Sequence, residues 1–354
     1  MSRKLASVCV VEEILPIEGA DRIELARVRG WWVVVGKGEF NVGDFGVYFE
    51  IDSLMPLDNP AFAFLANPDK PTQTHVKLKT KKYRNQISQG LLVPIGKFEN
   101  LGAYDEGTDL SDVLGIEKWE PQIPAQLQGL VKGTRPWFIP KTDEERVQNF
   151  KPSLLYGSFE VTEKLDGSSM SVYFKDGEFG ICSRNMNLSE TEGNTFWKVA
   201  REYNLEDALR YAGRQIVLQG ELVGEGIQKN RLKLTGHHFF IYNIYLIDEA
   251  RYMTPEERHS FIQGFSGHAG SATQTPVCIV KSVPVVDSNF TLSEDSVPFT
   301  EVHKYLLDLA TGPSAFGAKY REGLVFKRHE CYGTTREVYS FKVISNEYLL
   351  KHSE

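Results

Sequence analysis

A lysine flanked by carboxylates is the first feature of this chain that could do chemistry. Lys164 lies in the stretch Phe159–Met170, which reads FEVTEKLDGSSM. The apolar and β-branched residues on both sides predict a strand, a turn and a second strand, with Gly167 supplying backbone freedom in the turn. A deprotonated lysine amine can form covalent intermediates, and charged neighbours such as Glu163 and Asp166 control how readily its proton leaves. The same residues also fit a hairpin with an ordinary surface lysine, so the rest of the chain must decide.

Three more ionisable residues interrupt strands that are otherwise apolar. Glu221 lies in IVLQGELVG, Glu322 opens EGLVFK, and Lys342 lies between Phe341 and Val343. Each could be an edge-strand residue or one partner of a buried ion pair. Together with Lys164 they form an ordered set: lysine, strand glutamate, aromatic strand, strand glutamate, strand lysine.

Length and composition limit the class of protein. A chain of 354 residues predicts two domains, and 41% hydrophobic with 25% charged residues is typical of a soluble globular protein. No apolar run approaches the roughly 18 residues of a membrane span, and the N-terminus lacks the apolar core of a signal peptide. The net charge of −7 argues against a protein coated in nucleic acid, although local basic patches can still bind phosphates.

The four cysteines lie far apart and show no C-x-x-C spacing. We therefore expect neither a zinc site nor a disulfide framework, and we expect a cytoplasmic or other reducing intracellular compartment. The cysteines are Cys9, Cys182, Cys278 and Cys331.

Residues 1–120 are predicted to be all-β. Short strands are expected at residues 7–14, 23–28, 31–35 and 47–49, separated by glycine turns, which favours a small barrel. The segment EEILPIEGADRIELARVRGWWVVV resembles the opening of an OB-type barrel, similar to OB modules of tRNA-binding proteins. This resemblance implies a nucleic-acid-binding domain.

A basic stretch, HVKLKTKKYR, follows within this domain. It contains five cations and an aromatic residue without any acid, a composition that suits phosphate pairing and base stacking. A solvated loop with a chance cluster of charge is the alternative. The residues are Lys77, Lys79, Lys81, Lys82, Tyr83 and Arg84.

Residues 121–155 are rich in proline and are predicted to form a linker, in which Thr142 or Asp143 could cap one helical turn. Residues 156–354 alternate strands and helices, which predicts an α+β domain with antiparallel sheets. Helices are expected at residues 194–203, 205–211 and 300–309, and from Thr254 onward.

The ordered set resembles the motifs of the covalent nucleotidyltransferases, which include DNA ligases, RNA ligases and mRNA capping enzymes. The resemblance covers residues 156–345 and implies an ATP-grasp-like ligase fold. Finer features favour the RNA ligases, namely GEGIQKN after Glu221, the Ser183–Asn185 segment, TDEERVQN upstream, and an OB domain placed before the ligase domain.

The resemblance assigns roles to single residues. Lys164 would attack ATP and carry AMP, Asp166 and Glu322 would hold water around Mg²⁺ or Mn²⁺, and Glu221 would bind the ribose. Glu163 would read the adenine edge, with Tyr242 and Val325 on the two faces of the base, although both could instead be core residues. The remaining cations would bind nucleotide phosphates or ribose, and they are Arg184, Lys327 and Lys342.

Two positions depart from the motifs of related ligases. DNA ligases usually have arginine five residues after the lysine, whereas Ser169 stands here, which weakens a DNA ligase assignment. Related RNA ligases often have Lys-x-Lys in the last motif, whereas this chain has Ser340-Phe341-Lys342, so Lys342 alone carries that charge.

The resemblance therefore predicts an ATP-dependent RNA ligase that seals 3′-OH and 5′-phosphate ends in RNA repair. It would act as a monomer on RNA or on a nicked duplex containing RNA, without a membrane. A DNA ligase and a capping guanylyltransferase are the alternative enzymes. A non-catalytic tRNA-binding protein is the alternative outside enzymes.

Overall fold

A computed structural model describes residues 4–99, 101–119, 130–266, 280–332 and 337–352. Part of the predicted linker, including Pro121 and Pro124, and also Cys278 lie outside these residues. The chain forms two compact units. The first comprises Met1–Gln122, Val147–Leu155 and Asn346–Glu354, and the second Ile123–Arg146 and Tyr156–Ser345.

The first unit contains short strands, with an added C-terminal helix. The strands are β1 Ala6–Val10, β2 Glu13–Pro16, β3 Ile23–Val28, β4 Trp31–Gly36, β5 Phe45–Phe49, β6 Ser53–Pro56, β7 His75–Lys77, β8 Lys81–Tyr83, β9 Gln86–Ser88, β10 Leu91–Pro94 and β11 Glu117–Lys118. They form small antiparallel sheets in the orders β1-β5-β10, β2-β3-β4, β11-β6-β7 and β8-β9. The predicted strand at residues 7–14 is two strands, because β1 pairs with β5 and β2 pairs with β3.

The period-two pattern of β4 explains its place in the first unit. Its residues alternate between buried and partly exposed, so one face packs into a core around Trp31, Val33 and Tyr48. Residues 147–155, predicted as linker, pack on this unit. Trp31 Nε1 donates to Asn149 Oδ1 at 2.6 Å, and the Gly30 amide donates to the Gln148 carbonyl at 3.0 Å.

The second unit contains two sheets with helices. Its strands are β12 Val131–Thr134, β13 Gly157–Lys164, β14 Ser168–Lys175, β15 Glu178–Cys182, β16 Met186–Leu188, β17 Ile216–Gly224, β18 His237–Leu246, β19 Arg251–Tyr252, β20 Lys281–Ser282, β21 Val285–Leu292, β22 Gly323–Tyr332 and β23 Glu337–Ile344. The helices of the chain are α1 Thr195–Glu202, α2 Leu205–Ala212, α3 Pro255–Ser266, α4 Val302–Ala310 and, in the first unit, α5 Asn346–His352. None of these described helices is both long enough and apolar enough to cross a bilayer.

The larger sheet has the order β12-β16-β15-β14-β17-β18-β19, with β20 parallel to β18, and the smaller has the order β21-β13-β22-β23. Helices α1 and α2 pack on the larger sheet through apolar residues such as Trp197 and Leu209. Both helices lie where they were predicted, and α1 is capped by Asn194, whose side chain accepts from the Phe196 amide at 3.1 Å. The predicted α+β class, with an all-β N-terminal domain, is confirmed.

Candidate active site

The turn that carries Lys164 connects the two sheets of the second unit. β13 ends at Lys164 and lies antiparallel to β22, with Lys164 opposite Gly323. This register brings Glu322, one residue before β22, to the lysine. Lys164 Nζ donates to both carboxylate oxygens of Glu322, at 2.7 Å each. Two residues that are 158 positions apart therefore form a close ion pair.

Gly167 is needed for a reason other than the predicted one. Its φ does not lie in the left-handed region, so the turn does not use its backbone freedom. A Cβ at this position would instead lie 2.4 Å from the Leu222 carbonyl oxygen and 2.6 Å from Val223 Cγ1. Only a residue without a side chain lets the turn approach β17 this closely.

We predict that Gly167→Ala lowers stability by about 1–3 kcal/mol, because the added methyl group must displace backbone. Movement of the turn should also slow any reaction at Lys164. The melting temperature measures the loss of stability, and the rate of reaction at the Lys164 amine measures the movement of the turn. Gly133→Ala is the matched control, since no heavy atom lies within 4 Å of a Cβ there. Equal melting temperatures for the two variants would contradict the close approach.

The lysine lies among three carboxylates. Desolvation lowers the pKa of Lys164, but the charges of Glu322, Glu221 and Asp166 outweigh it, so its pKa is raised above the ordinary value. Burial raises the pKa of Glu322, and the Lys164 ammonium partly offsets this rise. The amine is therefore held as an ammonium ion and must lose a proton before it can act as a nucleophile.

The Glu221 carboxyl has a strongly raised pKa. Burial raises it to about 8, with a favourable charge from Lys164 and unfavourable charges from Glu322 and Asp166. This carboxyl therefore keeps its proton to a higher pH than an ordinary glutamate, and in its protonated form it can donate as well as accept a hydrogen bond. A strongly shifted carboxyl beside a lysine is typical of a functional site.

Asp166 has a partner that sequence reasoning missed. Arg231 Nη1 donates to Asp166 Oδ2, and both side chains are 18% exposed. Arg231 lies in the loop after β17, 65 residues further along the chain, and no signal in the sequence points to this pairing.

The base-binding candidates lie on neighbouring strands. Glu163 is buried, and its Oε2 accepts from the Ala315 amide at 2.7 Å, while its Oε1 has no hydrogen-bond partner among the described residues. Val325, in β22, lies opposite Thr162 of β13 on one side and opposite Lys342 of β23 on the other, and it is only partly buried. A partly exposed apolar side chain and a carboxylate oxygen without a hydrogen-bond partner suit contact with a flat, polar ligand.

Tyr242, on β18, is half-buried and linked to the turn region. Its hydroxyl lies 3.3 Å from Ser169 Oγ, which in turn lies 3.4 Å from Thr142 Oγ1. Burial raises the pKa of Tyr242 to about 12, so the hydroxyl stays protonated. Ser169, noted as a departure from the DNA ligase pattern, thus contacts the predicted stacking residue.

Lys327 contacts the backbone of Tyr242. Its Nζ donates to the Tyr242 carbonyl and to Asn243 Oδ1, and it lies 5.7 Å from the Tyr242 ring centroid. Burial, followed by the nearby Arg258, lowers the pKa of Lys327 to about 8. Arg258, in α3, is itself fully buried against Glu160, and sequence reasoning missed both.

The segment before residue 147 is extended and does not form the predicted turn at Thr142 or Asp143. Both oxygens of Asp143 accept from Arg184 Nη2, at 2.7 and 2.6 Å, and the Lys342 amide donates to the Glu145 carbonyl at 2.8 Å. These contacts use the groups that would cap a helix, and a short 3-10 turn starts only at Val147. Arg184 and Lys342 thus both contact this segment.

The basic stretch lies in the first unit, where it begins with β7 and ends with the first strand and turn of the β8-β9 hairpin. Arg84 and Asn85 have φ values of 45° and 70°, the conformation of a two-residue hairpin turn. The exposed members are Lys79, Lys81, Lys82, Tyr83 and Arg84. Lys77 differs, because its Nζ lies 3.4 Å from Asp52 and 3.5 Å from the Trp119 ring centroid.

The donor set near Lys164 suits a hard cation. In the described part of the chain, no group of three or more His, Cys, Asp or Glu side chains is arranged to hold a metal ion directly. Asp166 and Glu322 are carboxylates whose charges both act on the nucleophile, and oxygen ligands suit Mg²⁺ and Mn²⁺. Two such groups fit a divalent ion that keeps several waters.

Comparisons with known proteins identify the family of this chain. A family model of RNA ligases matches residues 157–344, and an OB-fold domain model matches residues 5–95. No curated protein matches the chain. The chain is similar to solved structures of an RNA ligase from Naegleria gruberi, in a mutant with ATP and Mn (TM-score 0.87), a mutant with AMP and Mn (0.88) and the enzyme with PPi (0.87).

Each of these three structures is 42% identical to the chain, and the match covers 99% of both chains. The RNA ligase match alone spans more than half of the 354 residues. The ordered set of lysines and glutamates lies within the matched residues, and the chain belongs to the RNA ligases.

Proposed function

We propose that this protein is an ATP-dependent RNA ligase that joins 3′-OH and 5′-phosphate ends through a lysyl-AMP intermediate. The Lys164–Glu322 pair at 2.7 Å, surrounded by further carboxylates, is the observation that carries this proposal. The similar Naegleria enzyme, with structures holding ATP, AMP, Mn and PPi, supports the same nucleotide chemistry.

In the first step, Lys164 Nζ loses its proton and attacks the α-phosphorus of ATP. The new P–N bond forms as the bond to the β-phosphate oxygen breaks, and pyrophosphate leaves. In the second step the 5′-phosphate of RNA attacks the same phosphorus, and the lysine amine leaves. In the third step the 3′-OH attacks the activated 5′-phosphate and releases AMP, which leaves a phosphodiester bond.

Asp166 and Glu322 would hold a divalent ion through bound water. Such an ion supplies positive charge that neutralises the transferring phosphate and favours the neutral form of a nearby amine. Residues of the chain orient these groups: Glu322 positions the lysine amine, and Arg231 positions the Asp166 carboxylate.

The other residues would position the nucleotide. Glu221 would bind the ribose through its carboxyl, and Glu163 Oε1 would accept from the adenine amino group. Tyr242 and Val325 would contact the two faces of the base. The three cations Arg184, Lys327 and Lys342 would meet phosphate or ribose, because phosphoryl transfer depends on positioning and charge stabilisation.

Labelling tests the proposal. Incubation with α-labelled ATP and Mg²⁺ or Mn²⁺, followed by denaturing electrophoresis, should give a labelled protein band. Sealing of a nick with RNA ends, compared with an all-DNA nick, separates RNA ligation from DNA ligation. Labelling by GTP in place of ATP would instead indicate a capping enzyme, and no adduct with either would favour a binding protein.

We also infer that residues 1–120 form a nucleic-acid-binding domain and that residues 121–155 link it to the adenylylating domain at 156–354. The substrate is RNA or a nicked duplex that contains RNA. A monomeric state and a reducing intracellular compartment stay predictions.

The basic hairpin gives a prediction that separates RNA binding from adenylylation. Neutralising Lys81, Lys82 and Arg84 to glutamine should leave the AMP adduct nearly unchanged, because ATP reacts at Lys164. Nick sealing should fall, and the log–log salt slope of binding should decrease by roughly 0.9 per lost phosphate contact on B-form DNA, with a similar order for RNA-containing duplexes.

A triple variant at Lys37, Lys70 and Lys97, all exposed in the same unit, is the matched control, since it removes the same charge elsewhere. Adduct yield, sealing rate and nick affinity at several salt concentrations are compared. Equal slopes for the two triple variants would mean that the hairpin is only a solvated surface.

A further inference from the structure

An exposed tryptophan lies at the tip of a rigid turn in the second unit. The Ile139 amide donates to the Pro136 carbonyl at 3.1 Å, which places Trp137 at the second position of a β-turn. The Trp137 side chain is 92% exposed. The turn is held by Arg135, which donates to the Arg184 carbonyl at 2.9 Å and to the Pro140 carbonyl. An indole kept in water on a rigid turn is available for binding.

The tryptophan forms one wall of a small pocket. Its volume is about 210 Å³, and it is lined by Trp137, Phe138, Tyr173, Lys175, Asp176 and Glu178. The rings form a chain of edge contacts, with centroids 6.1 Å apart for Trp137 and Phe138 and 5.4 Å apart for Phe138 and Tyr173. This volume is below the roughly 300 Å³ of a typical small-molecule site and fits one flat ring system.

The floor of the pocket is built by a cross-strand pair. Tyr173 on β14 lies opposite Gly180 on β15, and a Cβ at Gly180 would lie 2.2 Å from the Tyr173 ring. The missing side chain lets the tyrosine lie across β15. The Tyr173 hydroxyl donates to Glu178 at 3.3 Å, which fixes the ring further.

The charges around the pocket cancel. Lys175 pairs with Asp176, and Lys132 pairs with Glu178 at 2.8 Å. A neutral rim does not select a phosphate, but its carboxylate oxygens can accept from the amino group of a nucleobase. Stacking on aromatic side chains such as an indole is a common way in which proteins bind unpaired bases.

The pocket lies on the strand that leads to the active site. Tyr173 is four residues beyond Ser169 on β14, which is about 13 Å at the usual strand rise. The segment that follows the Trp137 turn also reaches Ser169, since Thr142 Oγ1 lies 3.4 Å from Ser169 Oγ. At about 3.4 Å per stacked nucleotide, this distance corresponds to a few nucleotides.

We propose that the Trp137 pocket is a subsite that stacks one unpaired base of the RNA substrate, a few nucleotides from the reacting end. This rests on the proposed function, because the RNA is the substrate of the ligase. A fully paired base cannot enter the pocket, so the subsite acts on single-stranded or overhanging RNA and not on a closed duplex.

The experiment measures the affinity of the Trp137→Ala variant for two RNA probes. The first is a nicked duplex in which one strand end at the nick carries an unpaired oligoadenylate overhang, and the second is the same nicked duplex with all bases paired. Loss of a stacked base weakens affinity roughly 5- to 100-fold. We expect this loss for the overhang probe alone, with the AMP adduct and binding of the paired nick unchanged. Trp137→Phe should retain most of the affinity, because phenylalanine can still stack.

Tyr211→Ala is the matched control, since Tyr211 is an aromatic residue of the same unit that is 67% exposed. Unchanged overhang binding, or equal losses on both probes, would overturn the subsite. Failure of the wild-type protein to form an AMP adduct would instead refute the proposed function, so the two failures are distinguishable.

Discussion

Replacing Lys164 with alanine is expected to abolish formation of the AMP adduct, with the rate falling by at least about 10³-fold. The side chain is the amine held by Glu322 at 2.7 Å at the end of β13, and the P–N bond cannot form without it. The measurement is the labelled band after incubation with α-labelled ATP and a divalent metal ion.

Two comparisons sharpen this prediction. Lys198→Ala, at a lysine whose side chain is 60% exposed on α1, should label like the wild type. RNA that already carries AMP on its 5′ end skips the first step, so Lys164→Ala should still seal it if the RNA is bound. A labelled Lys164→Ala protein would end the assignment of the nucleophile.

Replacing Glu322 with glutamine is expected to slow adduct formation by about 10² or more, because a charged group aimed at the reacting atoms is lost. The domain should still fold, since glutamine keeps the size and one oxygen of the side chain. The rate of labelling and the melting temperature are measured together. A large fall in melting temperature with normal labelling would make Glu322 a structural residue.

The pH profile of this variant tests the electrostatics independently. Adduct formation needs the neutral amine, so its rate rises as pH rises through the pKa of Lys164. Glu322 is the largest charge that raises this pKa, whereas desolvation lowers it. Removing the charge therefore lowers the pKa, and the remaining activity should rise at a lower pH than in the wild type. The control variant Glu225→Gln, at an exposed carboxylate, should have the pH profile of the wild type. A shift of the Glu322→Gln profile to higher pH would contradict the ion pair.

Local patterns were sufficient wherever the physical cause is local. The predicted strand at residues 23–28 is β3, and that at residues 216–224 is β17, because side-chain alternation and apolar runs act within a few residues. The helix starts near Asn194 and Thr254 follow from caps that bond within the same turn. The prediction of one continuous strand at residues 7–14 was wrong, because the chain forms two strands there. The first pairs with β5 and the second with β3, and this change of partner depends on distant residues.

The sequence by itself determined the family and indicated the candidate site residues: a lysine between carboxylates, two glutamates and a terminal strand lysine, in a fixed order along the chain. Residue types and their order along one chain carry this information. Tertiary structure alone decided which of them meet. Lys164 and Glu322 are 158 residues apart, Asp166 and Arg231 are 65 apart, and Glu163 and Ala315 are 152 apart. Strand register and close packing at Gly167 set these pairings, and the pKa of each group follows from the neighbours that the fold supplies.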